Sequence, residues 1–142
     1  MFKKIFADAN VILDIFDNTR PFSKFSIKAV NYLLSDNANL LTSSDLITTV
    51  YYVLSKKDRN IALNAVKLSL DYFNLISFSN LEIEKTIKLV ENDKTYNDLE
   101  DTLQYILAKN NGCEMILSND NNFSSKDIKI ATTKEFCGIY KI

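Results

Sequence analysis

Short apolar runs alternate with longer amphipathic stretches along the 142 residues of the chain. A short apolar run is typical of a strand buried on both faces, whereas apolar positions spaced three or four residues apart predict a helix. On this pattern, strands are predicted at residues 3–7, 39–44, 75–78, 114–118 and 128–132. Helices are predicted at residues 10–16, 26–34, 45–54, 60–73 and 98–109, with two more that begin near Asn80 and after Thr133.

Strands and helices that alternate in this way predict a parallel sheet covered by helices on both faces. We therefore expect an α/β fold in which a central, mostly parallel sheet of five strands lies between two helical layers. The chain length suits one domain over residues 1–142. Residues 17–25 are expected to form a loop. With only two glycines and one proline, a Gly-rich phosphate loop or a flexible linker is not expected.

Composition indicates an ordinary globular protein, with 46% apolar residues, 25% charged residues and a net charge of -1. No run of about 18 apolar residues is present, so no transmembrane helix is expected. The first apolar run is short and interrupted by Asp8, which argues against a signal peptide. Cys113 and Cys137 are far apart and show no CxxC pattern, so two free thiols in a reducing cytoplasm are expected.

The chain contains no histidine. This absence excludes Ser-His-Asp and Cys-His catalysis, and it excludes zinc sites built with histidine. Two cysteines are too few for an all-cysteine zinc site. Any hydrolytic activity would therefore depend on carboxylates, most simply on carboxylates that hold a metal ion.

Four aspartates lie where the predicted fold would place a ligand site. Asp8 follows the first strand and Asp120 follows the fourth, and sites in parallel sheets form beyond the carboxyl ends of the strands. Asp98 and Asp101 share one face of a predicted helix. Each acid alone is compatible with a turn or a helix N-terminus, but acids brought together repel one another and favour Mg²⁺ or Mn²⁺. Asp14 lies a helical turn further on and is expected outside the site.

Three stretches, "FADANVILD" (6–14), "LLTSSDLITTVYYVLSKK" (40–57) and "LEDTLQYILAKNNGCEMILSNDNNF" (99–123), carry a resemblance to a known family. In their order and spacing they resemble the PIN domains, and among these the VapC-like ribonuclease toxins of bacterial toxin–antitoxin pairs. The resemblance implies that Asp8 is the first metal-binding acid, with Asn10 as its companion. It implies that Asp101, at the head of "DTLQYILA", is the third acid, assisted by Asp98.

In the same resemblance, "SNDNNF" matches a "Thr-Arg-Asp-x-x-Phe" pattern, which makes Asp120 the fourth acid and Ser118 its supporting hydroxyl. The second acid of the family is a glutamate, and Thr49 stands at its position. Asp45 lies one helical turn earlier and either substitutes for that glutamate or is only an N-terminal helix acid. With one carboxylate fewer, metal affinity is expected to fall.

The resemblance implies a three-layer α/β/α fold and a Mg²⁺- or Mn²⁺-dependent endoribonuclease. Asp8, Asp101 and Asp120 would hold a metal that activates the attacking water. It also implies a homodimer that is inhibited by a cognate antitoxin protein. A local basic group is expected either to guide the RNA backbone or to be a solvated loop; it consists of Lys56, Lys57 and Arg59.

Two alternatives remain at the level of sequence. The first is a catalytically weakened or inactive PIN-fold module that binds RNA or a protein partner, because Thr49 replaces the expected glutamate. The second is a metal-dependent phosphatase of the haloacid-dehalogenase type, whose Asp-x-Asp motif is only weakly similar to "DAN" because Asn10 stands where the second aspartate should be.

Overall fold

Five parallel strands form the centre of the protein, which a computed structural model describes over residues 1–142. The strands are β1 (Lys4–Ala7), β2 (Asn39–Ser43), β3 (Asn74–Ile76), β4 (Met115–Leu117) and β5 (Lys129–Ala131). Their order across the sheet is β3-β2-β1-β4-β5, and every neighbouring pair is parallel. The predicted order of strands and helices along the chain is confirmed.

Seven helices cover the sheet. They are α1 (Ala9–Phe16), α2 (Ser23–Ser35), α3 (Ser44–Ser55), α4 (Arg59–Tyr72), α5 (Asn80–Asn92), α6 (Leu99–Asn110) and α7 (Thr133–Tyr140). The helices α1 to α4 and α7 contact one another, and α5 and α6 form a separate pair. Because the β1–β2–β3 and β3–β4 crossovers run in opposite directions, right-handed connections place these two groups on opposite faces of the sheet. The three-layer α/β/α architecture is therefore confirmed.

The strand order changes direction between β1 and β4. From β1 the chain runs outward through β2 to β3, and then returns to the other side of β1 as β4. The two strands are in register at their carboxyl ends, where Ala7 pairs with Leu117. The Asp8 N–H extends this pairing by donating to the Leu117 carbonyl at 3.0 Å. Crevices at such a change of direction are where open α/β sheets bind ligands.

The core fixes β1 and α6, the two elements that carry most of the candidate acids. Ile5, Phe6 and Ala7 have no exposed surface, and α6 is buried from Thr102 to Ala108. Burial of each large apolar side chain contributes about 1.5–3 kcal/mol, so these elements are held rigidly. Cys113 and Cys137 are free thiols, as predicted. None of the helices has the length and apolar character needed to cross a membrane.

Most element boundaries differ from the sequence prediction by one or two residues, and three of the differences have a local cause. The helix α2 begins at Ser23, inside the predicted loop, because Ser23 and Ser26 are buried polar residues that a hydrophobic pattern does not detect. Ser79, rather than Asn80, is the N-cap of α5, where it forms a capping box with Glu82. Likewise, Asp98 lies just before α6 as its N-cap.

Candidate active site

Asp8 is held in one orientation at the end of β1. The residue is 7% exposed and is the N-cap of α1, so the strand passes directly into the helix. One carboxylate oxygen accepts from the Ala9 N–H at 2.7 Å. The other accepts from the Ser118 hydroxyl at 2.8 Å and from the Asn10 amide at 3.1 Å. The predicted companion Asn10 therefore contacts Asp8, and Ser118, which was predicted to support Asp120, donates its hydroxyl to Asp8.

The charge on Asp8 is only partly compensated. Burial raises the pKa of Asp8, and Asp120 raises it further. The hydrogen bonds from Ser118 and the Ala9 N–H, together with the Gln104 amide, lower the pKa without cancelling the effect of burial. A cation beside this carboxylate would restore its charged form.

Asp101 is a strongly perturbed acid of the site. Burial raises the pKa of Asp101 to about 7, with further contributions from Asp98, Asp8, Asp120 and Glu100. Asp98 is also the N-cap of α6, where its carboxylate accepts from the Asp101 N–H at 2.9 Å. These acids therefore lie close enough for their negative charges to repel one another. Asp8 follows β1, Asp120 follows β4, and the others stand at the start of α6.

Glu100 lies close to the same acids and was missed by the sequence prediction. Burial raises the pKa of Glu100, and Asp8, Asp45 and Asp98 raise it further. Asp45 on α3 and Glu100 on α6 are therefore close enough for their negative charges to repel each other. The sequence offered one signal, an acid between Asp98 and Asp101, but a preference for acids at a helix N-terminus explains that position equally well.

Position 49 contributes no acid to the site. Thr49 is half-buried on α3, and its hydroxyl donates to the Asp45 backbone carbonyl at 3.4 Å. The Asp45 carboxylate accepts from the Ser43 hydroxyl. Since Asp45 also raises the pKa of Glu100, it lies on the side of α3 that faces the acids.

Gln104 is a second residue that the sequence prediction missed. It lies on α6 one turn after Asp101, is 1% exposed, and its Oε1 is the one buried side-chain oxygen or nitrogen without a hydrogen-bond partner. An unsatisfied buried acceptor costs about 1–3 kcal/mol. Because the same amide lowers the pKa of Asp8, this oxygen lies close to the site.

The segment after β4 completes the site. The Ser118 hydroxyl, which donates to Asp8, accepts from the Asp120 N–H at 3.2 Å. Ser118 is 1% exposed, and Asp120 is half-buried. One oxygen of Asp120 accepts from the Asn122 N–H at 2.9 Å. Asp120 thereby keeps one oxygen free of hydrogen bonds.

The donor set fits a hydrated hard cation better than an ion enclosed by protein ligands. No group of three acidic side chains is arranged so that it could hold a metal ion directly. Mg²⁺, however, keeps several waters and binds proteins through one or two carboxylates. A cation would relieve two unfavourable features of the site. It would reduce the repulsion of Asp101 by Asp8 and Asp120, and it would give the unpartnered oxygen of Gln104 a partner.

The predicted basic group lies away from the acids. Lys56 and Lys57 lie just after the carboxyl end of α3. Because α3 has 12 residues, this end is about 18 Å from the acidic edge. Arg59 is the first residue of α4. Lys57 forms a salt bridge with Asp17 at 2.9 Å. The Thr19 hydroxyl and Lys57 lower the pKa of Asp17 to about 2. The Lys56 ammonium lies 4.5 Å from the centre of the Tyr52 ring.

Comparison with known proteins defines the class to which this fold and site belong. The PIN domain family matches residues 5–129, so the chain belongs to the PIN domain family. Within the family it belongs with the VapC proteins. Ribonuclease VapC1 of Aquifex aeolicus (strain VF5) is 55% identical over 135 residues, which are 95% of this chain and 94% of that protein.

Solved structures agree on the fold. VapC20 of Mycobacterium tuberculosis, a toxin that cleaves the sarcin-ricin loop, superposes with a TM-score of 0.67 at 14% identity, covering 84% of this chain and 92% of that one. DNA-bound VapBC of Salmonella typhimurium gives a TM-score of 0.70 at 15% identity, covering 94% and 99%. At such low identity these likenesses establish the fold alone.

Proposed function

We propose that this protein is a Mg²⁺- or Mn²⁺-dependent endoribonuclease whose hydrated metal ion is held by Asp8, Asp101 and Asp120, one or two of them directly and the rest through water, with Asp98 assisting. The observation that carries the proposal is the pKa of about 7 at Asp101, which burial and the neighbouring carboxylates produce at the carboxyl edge of β1 and β4. A group of acids in a protein without histidine fits metal-assisted hydrolysis. The 55% identity to a protein named as a ribonuclease supports the same activity.

The residues of this chain have separate roles in the proposed reaction. When bound, a divalent ion would activate water and neutralise phosphate charge. Ser118 and Asn10 hold the carboxylate of Asp8 in place, so its free lone pairs stay directed into the site. Because its pKa is raised to about 7, Asp101 would hold a proton more readily than an ordinary aspartate, and a bound cation would favour its charged form. The family resemblance implies that water attacks the phosphorus and the 3′-oxygen leaves, which would give 5′-phosphate and 3′-hydroxyl ends.

We further propose that Glu100, together with Asp45, compensates for the absence of a glutamate at position 49. These two carboxylates repel each other, and Glu100 also repels Asp8. They therefore approach the site from α6 and α3, where the missing side chain would have projected. Negative charge lost at Thr49 is in this way replaced by side chains from neighbouring positions.

Lys56 and Arg59 remain candidates for guiding RNA toward the acids. Both side chains are exposed and neither forms a salt bridge, whereas Lys57 is paired with Asp17. Contacts from Lys and Arg to phosphates would make RNA binding weaken as salt rises. Lys57 would contribute less, because its charge is already compensated.

The proposed biological role is that of a cytoplasmic toxin, assembled as a homodimer and inhibited by a cognate antitoxin. The structural relatives support an antitoxin partner, since they include VapBC from Salmonella typhimurium and a toxin–antitoxin complex from Klebsiella pneumoniae.

Two observations favour a second candidate function, a PIN-fold module that binds RNA or protein without cleaving. No three acids are arranged to hold a metal directly, and Thr49 directs its hydroxyl to its own helix. On this alternative, Asp101 would have a raised pKa without holding a metal ion, because the site lacks one of its acids.

RNA cleavage in the presence and absence of metal distinguishes the two candidates. The wild-type protein and Asp8→Asn are incubated with a mixed RNA substrate in Mg²⁺, in Mn²⁺ and in EDTA. The nuclease proposal requires cleavage by the wild-type protein that depends on the metal and is lost in Asp8→Asn, with 5′-phosphate ends. Equal low cleavage by both proteins in every condition would instead support the binding module.

A further inference from the structure

Asp14 is a buried acid that lies outside the candidate metal site. It is 2% exposed and lies on α1, about two helical turns from Asp8. One carboxylate oxygen accepts from the Arg20 guanidinium at 2.7 Å. The other accepts from the Ser26 hydroxyl at 2.8 Å and from the Asn119 amide at 2.7 Å. A buried carboxylate with a cation and two further donors is well compensated.

Asn119 connects this acid to the site, because it lies between Ser118 and Asp120. Its side-chain nitrogen donates to Asp14, and its side-chain oxygen accepts from the Thr133 N–H at 2.8 Å. Its backbone N–H donates to the side-chain oxygen of Asn10 at 3.0 Å. One asparagine is thereby fixed by α1 on one side and by the start of α7 on the other.

These contacts fix the positions of Ser118 and Asp120, the neighbours of Asn119 in the chain. The chain leaves the three-residue strand β4 at Leu117, so the sheet no longer directs its path at Asp120. The Asp120 carboxylate accepts a hydrogen bond only from within its own turn, at Asn122. The hydroxyl of Ser118, on the other side, must reach Asp8. Both orientations depend on the backbone at position 119.

We propose that Asn119, anchored by Asp14, is a positioning residue that places Asp120 and Ser118 correctly relative to Asp8. This inference rests on the proposed function, because it assumes that Asp120 and Asp8 serve the same metal ion. Partners that orient metal ligands from behind typically change metal affinity by 10–100-fold when they are replaced. Asp14 therefore has a role in the site although it is not a ligand.

An exchange of the two side chains provides the test. Asn119→Asp removes the amide donor and sets a second carboxylate against Asp14, and Asp14→Asn removes the acceptor. In the double variant Asp14→Asn/Asn119→Asp, the donor and acceptor are exchanged, so the hydrogen bond can form again in the opposite direction. The carboxylate at position 119 can still accept from the Thr133 N–H. Asn121→Asp is the matched control, because it adds the same charge beside Asp120 at an exposed residue.

The readouts are the Mn²⁺ dissociation constant, measured by electron paramagnetic resonance of free Mn²⁺, and the melting temperature in EDTA. We expect Asn119→Asp to weaken Mn²⁺ binding about tenfold or more, and the double variant to recover most of the affinity. Asn121→Asp should not weaken binding, since added negative charge alone attracts a cation. Wild-type affinity in Asn119→Asp with a lower melting temperature would overturn the inference, because the pair would then be structural only.

A second variant covers the case in which Asn119→Asp does not fold. Thr133→Pro removes both the N–H and the hydroxyl that donate to Asn119, at the first position of α7, where the backbone suits proline. The preceding residue, Thr132, is already extended, as a residue before proline prefers. Thr133→Pro should weaken Mn²⁺ binding, and unchanged affinity would overturn the inference. If the wild-type protein does not bind Mn²⁺, both the proposed function and this inference are overturned. If the wild-type protein binds Mn²⁺ and neither variant changes the affinity, only the inference is overturned.

Discussion

Replacing Asp101 with asparagine should stabilise the metal-free protein at neutral pH while it weakens metal binding. Burial disfavours the charge of Asp101, and repulsion from Asp98, Asp8 and Asp120 disfavours it further. The hydrogen bond from Asp101 to the Asp98 carboxylate comes from the backbone N–H, which asparagine retains. The substitution therefore removes an unfavourable charge without removing a native contact of the side chain.

The size of the effect follows from the pKa of Asp101, which rises from 3.8 to about 7. For a fully buried group this shift corresponds to about 4 kcal/mol of stability lost by pH 7. Asp101 is only half-buried, so solvent screening reduces the figure to roughly 1–2 kcal/mol. Loss of an acid from the first turn of α6 costs roughly 0.5 kcal/mol in return. The net gain of about 1 kcal/mol raises the melting temperature by about 4 °C.

The sign of the pH dependence is fixed by the direction of the shift. Between pH 4 and pH 7 the native state holds a proton on Asp101 that the unfolded chain has released, so stability falls as pH rises through this window. Below pH 4 both states are protonated, and asparagine offers no advantage. The stabilisation by Asp101→Asn should therefore be absent at pH 4, grow up to pH 7 and remain constant above it.

Thermal unfolding in EDTA and in excess Mn²⁺, from pH 4 to pH 8, measures these effects, with Asp71→Asn on the exposed face of α4 as the control. At 100 times the dissociation constant, Mn²⁺ should stabilise the wild-type protein by about 2.7 kcal/mol and Asp101→Asn by much less. The order of the two melting temperatures should then reverse between EDTA and Mn²⁺. An Asp101→Asn variant that is less stable in EDTA at pH 7.5, or equally stabilised at pH 4, would refute the electrostatic reasoning.

Three further predictions concern the residues around the acids. Glu100→Gln should weaken Mn²⁺ binding several-fold and slow RNA cleavage, whereas Glu84→Gln, an exposed helical control, should change neither; equal effects would remove Glu100 from the site. Thr49→Glu should raise cleavage at low Mg²⁺ by restoring a carboxylate on α3, and unchanged or lower cleavage would contradict the proposed compensation. Gln104→Leu should reduce cleavage, because it removes the amide that lowers the pKa of Asp8 together with the unsatisfied buried oxygen; unchanged cleavage would show that Gln104 does not serve the site.

Much of the fold follows from local patterns. The strand that contains Ile5 and Phe6 is buried on both faces, so its apolar run identifies it without knowledge of its neighbours. Asp8 could be placed in the site because the ends of parallel strands lie at one edge of the sheet. Its contact with Ser118, 110 residues away, follows from the pairing of β1 with β4.

The remaining features depend on tertiary contacts that no local pattern contains. In the sequence, Asp14 has the pattern of an exposed helical acid. In the structure it is buried, and Arg20 and Asn119 compensate its charge. Gln104 is polar, so a hydrophobic pattern assigns it to the surface, although it is 1% exposed. Glu100 follows the N-cap of α6, where an acid has an ordinary helical explanation. Such buried or clustered polar groups are defined by their partners, and the partners are distant in sequence.

The central claim is that Asp8, Asp101 and Asp120 share one divalent cation. Anomalous diffraction from crystals soaked in Mn²⁺ tests it most directly, because the signal locates the ion without reference to activity. We predict one strong peak at the carboxyl edge of β1 and β4, within about 2.0–2.5 Å of a carboxylate oxygen of at least two of these acids, with waters as the remaining ligands. No peak at this edge at millimolar Mn²⁺, or a peak bound elsewhere on the surface, would contradict the claim.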